Sequence, residues 1–191
     1  MAKQDIIITL DLGEIAWEVQ DKTHLAGRMA RDTGAGAATA SDMQLTDDPE
    51  RRVLLERSIG VGVARLRRLL HEWTTGGAAA NNGIRINDPV VLTLHMPTNF
   101  ALAATDDLAA CCHRYVVYAA LADWWDSVDK SRAPDCYRQA DAQSALLMEA
   151  AHSRQRPARR QYCGCGGGIT TEDYLWHDEL LWDDDQLWLE D

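Results

Sequence analysis

Thiols, imidazoles and carboxylates are the groups that could do chemistry in this chain, and their spacing decides which chemistry is open to them. Cys163 and Cys165 stand one residue apart in the stretch Tyr162-Cys-Gly-Cys-Gly-Gly-Gly. Two such thiols could hold zinc or another soft metal if another subunit supplied further ligands. A closed structural zinc site needs four ligands. No second local pair provides them, so the segment reads first as a flexible linker. Cys111, Cys112 and His113 are consecutive. Successive side chains on a helix diverge by about 100°, so these three cannot converge on one ion and are expected in the core. His24, His71, His95, His152 and His177 are scattered and form no His-Glu-x-x-His pair.

Asp123 and Asp126 flank Trp124-Trp125, and carboxylates at i and i+3 can share a helix face. With no base, nucleophile or metal beside them they read as acids on the wet side of a helix. There is no Gly-x-Ser-x-Gly, phosphate loop or dinucleotide fingerprint. Gly34-x-Gly36 and Gly60-x-Gly62 fall short of any phosphate-binding pattern. The expectation is a non-enzyme without a cofactor.

The elements around these groups suggest a mainly α chain. The 191 residues are 46% hydrophobic and 26% charged, as in a globular protein. Residues 6–12 are β-branched and read as a short strand, or as an extended arm ordered by a neighbour. Residues 14–31 read as a helix with Ile15, Val19, Ala26 and Met29 on one face, interrupted by Lys22. Residues 32–41 are small and polar, as in a loop. Over residues 48–74, Leu55, Ile59, Gly62, Leu66, Leu69 and Trp73 step by three and four, which lines one helix side. Asp48 and Pro49 suit its start. Gly60 and Gly62 each cost roughly 1 kcal/mol inside a helix, which points to close approach by another helix or to a bend.

Residues 89–96 could be a strand or the first turns of a helix, and Pro97-Thr-Asn a turn. Residues 105–129 carry two apolar stripes, Leu108, Cys112, Tyr115, Ala119 and Ala122, then Cys111, Tyr118, Leu121, Trp125 and Val128. A helix apolar on two sides belongs between others, with Thr105, Asp106 and Asp107 suited to its N-terminus. Residues 134–152 give a last helix, striped by Tyr137, Ala140, Ser144, Leu147 and Ala151. The predicted fold is a bundle of three to four helices with one or two short strands and extended terminal arms. Its parts are an N-terminal strand or arm (1–13), the bundle (14–156), and a linker and tail (157–191).

The net charge of −11 belongs to that tail. Residues 170–191 hold nine acids and no Lys or Arg, leaving 21 acids against 19 bases and a net of −2 in residues 1–169. No broad basic face recommends sequence-specific nucleic acid, and no apolar run approaches the ~20 residues of a membrane span. The start lacks the features of a secretory signal. An odd cysteine count with two adjacent thiols is no disulfide framework. Synthesis in a reducing cytoplasm is expected.

The last 18 residues divide into three hexads, Tyr-Leu-Trp-His-Asp-Glu, Leu-Leu-Trp-Asp-Asp-Asp and Gln-Leu-Trp-Leu-Glu-Asp. Six residues turn a helix by about 600°, which scatters Trp176, Trp182 and Trp188. In an extended strand they share one face, with Leu175, Leu181 and Leu187 on the other. These side chains, with Asp183, Asp184 and Asp185, are candidates for docking on a basic partner; the alternative is a solvated tail lying over Arg154, Arg156, Arg159 and Arg160. The four earlier tryptophans, Trp17, Trp73, Trp124 and Trp125, are expected in the core.

Asp5-Ile-Ile-Ile-Thr-Leu-Asp-Leu, Arg57-Ser-Ile-Gly-Val-Gly-Val-Ala-Arg-Leu, Pro89-Val-Val-Leu-Thr-Leu-His-Met-Pro and Tyr115-Val-Val-Tyr-Ala-Ala-Leu-Ala-Asp-Trp-Trp resemble small virion proteins of gut-bacterial tailed phages and prophages. The resemblance covers roughly residues 5–160, is one of layout rather than of a diagnostic motif, and leaves the tail outside. It implies a head–tail connector (neck adaptor) subunit, assembling as a homo-oligomeric ring between portal and tail in the virion. The N-terminal strand, the 32–47 loop and the tail would then be intersubunit arms. It carries over no catalytic residue. Two alternatives stay open: a tail-completion or terminator protein of the same virion, and a soluble protein whose acidic tail captures a basic partner.

Overall fold

A computed structural model describes residues 3–32, 41, 44–45, 48–74 and 84–155. Strand β1 (Lys3–Leu10) leads into helix α1 (Leu12–Asp32); helix α2 (Pro49–Leu69) and strand β2 (Val90–Pro97) follow. A 3-10 turn (Leu102–Ala104) then opens helix α3 (Thr105–Val128), and helix α4 (Ala133–His152) closes the described chain. The fold is mainly helical with one small antiparallel sheet.

The ambiguity over residues 89–96 is resolved by pairing. β2 lies antiparallel to β1, with Ile6 opposite Leu94 and Ile8 opposite Leu92. Alternate residues of a strand face opposite sides. Ile6, Ile8, Leu10, Val90, Leu92, Leu94 and Met96 are therefore buried, while Ile7 and Val91 face out. β1 is thus a strand paired within its own chain, not an arm laid on a neighbour. It belongs to the compact unit that runs to Gln155; a second unit, Arg156–Asp191, lies outside the described residues.

α1 is started by Asp11, whose carboxylate accepts from the amides of Gly13 (2.8 Å) and Glu14 (3.4 Å), a side-chain cap on the helix N-terminus. Its inner stripe is Leu12, Ile15, Val19, Thr23, Ala26 and Ala30. Met29, expected on that face, is exposed. Thr23 takes an apolar-looking position because its hydroxyl donates to the carbonyl of Gln20 and accepts from the amide of Leu45.

α2 follows the expected stripe. Leu55, Ile59 and Leu66 are buried and Leu69 is half-buried at the rim; the helix ends there rather than at residue 74, and the buried Leu70 and Trp73 stand in the turn that follows. Asp48 sits at the N-cap without a side-chain cap bond, so Pro49 is the feature of the expected start that the helix uses. Gly62 is the close approach inferred from sequence: a methyl there would stand 3.3 Å from both Cγ1 and the carbonyl oxygen of Val116, and 3.5 Å from Cβ of Ala119.

α3 is the centre of the core and packs on α1, α2, α4 and β1. Leu108, Cys112, Tyr115, Ala119, Ala122, Leu121 and Trp125 are buried, as are Val116, Val117, Ala120 and Trp124. Thr105 does not cap α3. The N-cap is Ala104, and Thr105 Oγ1 is buried without a partner. α4 turns Ala133, Ala140, Leu147 and Ala151 inward, while Ser144 is half-buried and Tyr137 exposed. The single Phe, Phe100, is fully buried where the turn after β2 meets the end of α4; Ala101 donates to the carbonyl of Ser153, and Gln155 to that of Asn99. No helix among the described residues is long and apolar enough to cross a membrane.

Candidate functional site

Several titratable side chains have defined geometry. At the α1–α3 contact, Glu18 accepts from Lys22 at 2.9 Å and meets His113 Nε2 at 3.0 Å. Burial pushes the Glu18 carboxyl up, but hydrogen bonds from Lys22 and His113, with their positive charge, outweigh it and leave it below the usual carboxylate range. Burial alone would depress the Lys22 ammonium; its bond and charge pairing with Glu18 raise it instead. His113 is therefore a helix-to-helix tie rather than a core residue. Across the sheet, His95 pairs with Asp5 on the outward face. Between α2 and α3, the Ser58 hydroxyl donates to Asp123 Oδ2 at 2.5 Å. Asp123 thus leans on α2, whereas Asp126 is exposed, and the two carboxylates do not act as a pair.

The described thiols are not activated. Burial pushes Cys112 up to about 12, and burial followed by the charge of Asp107 or Asp135 raises Cys111 and Cys136. A thiol raised in this way stays protonated at neutral pH and is a poor nucleophile and metal ligand. Among the described residues, no group of three His, Cys, Asp or Glu side chains is placed to hold a metal ion. A cleft of about 360 Å³ opens between α3 and α4, lined by Asp107, Cys111, Arg114, Leu146 and Glu149. Its lining carries charges of both signs.

No protein-family model, curated protein or solved structure matches the chain.

The surface is where this molecule is unusual. Trp17 is 66% exposed on α1, the reverse of its expected core position, and Leu25 on the same helix is also exposed, while Trp73, Trp124 and Trp125 are buried. Val53, Leu54 and Val61 face out on α2, interleaved with Arg57 and Arg68. Ile7 and Val91 face out on the sheet. Single exposed apolar residues are ordinary; here an exposed Trp is joined by further exposed large apolar side chains on the sheet, α1 and α2.

The candidate partner-binding residues Trp176, Trp182, Trp188, Leu175, Leu181, Leu187, Asp183, Asp184 and Asp185 lie outside the described residues, as do Cys163 and Cys165 and most of the 32–47 loop. Of the sites now visible, sequence reasoning missed Trp17. The available signal was its neighbours: Glu14, Asp21 and Arg28 lie on the same side of α1, a side that polar residues mark as outward.

Proposed function

We propose that this protein is a non-catalytic subunit of a larger assembly, specifically a head–tail connector (neck adaptor) subunit of a tailed-phage virion that forms a ring between portal and tail. The observation that carries the first part is the outward placement of large apolar side chains on the sheet, α1 and α2, led by Trp17. Each would lose roughly 1.5–3 kcal/mol of burial by staying in water, a loss that association recovers. The described thiols, held protonated, and the carboxylates committed to structural ties support the non-catalytic part. The connector assignment rests on the resemblance of residues 5–160 to small virion proteins.

The test is the native mass of the full chain, with negative-stain images of the same sample. A connector gives a closed ring of identical subunits around a channel. Sixfold symmetry would move the assignment to a tail terminator. A chain that stays monomeric while capturing a basic protein would refute the connector reading.

A further inference from the structure

β1 has one neighbour, β2, and its other edge is open. The His95 amide fixes which groups point outward, because it donates to the carbonyl of Trp73 at 2.7 Å, away from β1. Opposite residues of an antiparallel pair either exchange both backbone bonds or turn both groups away from each other. Asp5, opposite His95, therefore aims its N–H and C=O at the free edge, and by alternation so do Ile7 and Thr9. None of the three makes a backbone hydrogen bond on that edge. Their side chains face solvent, with Ile7 67% exposed. An edge of this kind is a template for another strand. The far edge of β2 is different, since its His95 amide is taken by Trp73.

We propose that this edge pairs with the same edge of a second copy, antiparallel about a two-fold axis at Ile7, joining two small sheets into one of four strands, β2–β1–β1–β2. The occupant is argued from the strand's self-complementarity. In this register Ile7 meets Ile7 of the second copy, Asp5 meets Thr9, and Thr9 meets Asp5, which sets carboxylate against hydroxyl on both sides of the axis. A shift of two residues one way sets Asp5 against Ile7, and a shift the other way sets Thr9 against Ile7; either loses both carboxylate–hydroxyl pairs. An interface that repeats the same patch on both subunits is the form a closed two-fold contact takes. This pairing goes beyond the ring of the connector reading, which needs a head-to-tail contact elsewhere on the surface.

The test uses the full chain. Sedimentation and native mass should give an even-numbered oligomer, at the simplest twice the chain mass of 21.3 kDa. Ile7→Lys places like charges across the axis on a solvent-facing side chain. It should halve the particle mass while the circular dichroism spectrum stays that of the parent. Ile7→Cys, oxidised with glutathione disulfide, should give a mapped 7–7 cross-link, because the two Cα atoms of a hydrogen-bonded pair lie about 5.5 Å apart, within disulfide reach. Thr9→Cys should not, since the two copies of residue 9 are about 13 Å apart in this register. A monomeric parent overturns the pairing, and so does equal cross-linking at positions 7 and 9. A ring whose mass Ile7→Lys leaves unchanged also overturns it, while leaving the connector reading standing.

Discussion

The two glycines of α2 make a matched pair of perturbations whose signs the structure sets in opposite directions. Replacing a helix-interior Gly with Ala removes a conformational penalty of about 0.5–1 kcal/mol. At Gly60 the new methyl would find only Ile84, at 3.9 Å from its Cδ1, an ordinary contact with a flexible side chain. Gly60→Ala should therefore stabilise the protein by most of that amount. At Gly62 the same methyl would stand 3.3 Å from Cγ1 and from the carbonyl oxygen of Val116, on the helix that forms the centre of the core. Val116 is fully buried, and its carbonyl belongs to the α3 backbone, so neither can swing aside. The two helices must separate by a few tenths of an ångström instead. Overpacking of this sort costs about 1–3 kcal/mol. The net for Gly62→Ala is then a loss of up to about 2 kcal/mol once the helix gain is subtracted. Urea titrations followed by circular dichroism would measure both variants at once. In a domain of this size 1 kcal/mol moves Tm by about 2–4 °C, so the two variants should melt on opposite sides of the parent. Gly62→Ala as stable as Gly60→Ala would refute the close helix approach.

Three further outcomes follow from the same contacts. Glu18→Gln removes a carboxylate whose folded value lies below its unfolded one, so its contribution is present above the usual carboxylate range and lost as pH falls through the depressed value. The variant should be less stable than the parent at neutral pH, by under about 1 kcal/mol because the pair is partly solvated. That difference should vanish in acid, and a difference that persists at low pH would point to lost packing instead. Leu147→Ala, at a fully buried position, should cost about 2–5 kcal/mol, whereas Tyr137→Ala on the exposed side of α4 should cost well under about 1 kcal/mol. Cys112, buried and pushed up to about 12, should resist an alkylating reagent at neutral pH until denaturant is added. Peptide mapping of the labelled chain would show its modification tracking unfolding, and labelling in the native state would contradict its burial.

Much of this fold was legible because burial is periodic. The steps of three and four in α2 and the double stripe of α3 placed Leu55, Ile59, Leu66, Leu108, Cys112 and Trp125 correctly. Both helices are packed on well-defined sides, so apolar spacing alone locates their axes. Errors gathered where one polar atom or one residue of phase decides. Thr23 belongs to the α1 stripe only because its hydroxyl finds two backbone partners, and Met29 stood in for Ala30 beside it. Leu70 rather than Leu69 is fully buried because the helix ends there and the chain turns. Tyr137 lies one turn after the buried Ala133 and one before the buried Ala140, yet faces out. Phe100 sits in a segment that reads as a turn, and only the meeting of that turn with residues 153–155 shows why it is buried. The exposed apolar side chains were the least legible. Trp17 differs from the buried tryptophans in what surrounds it in space, not in its own chemistry.

The pairing of β1 with β2 also orders events in time. β1 leaves the ribosome well before β2, so Ile6, Ile7 and Ile8 have no ladder partner until residues 90–97 have been made. At about 5–20 residues per second, these eighty-odd residues leave the isoleucine run waiting for several seconds beside the nascent strands of neighbouring chains. During that interval the inner face that later meets α3 is as bare as the outer one. The hazard is set by gene order rather than by final stability. Transposing residues 3–10 to a position just ahead of β2 would shorten the wait, and would favour yield of folded chains over aggregates.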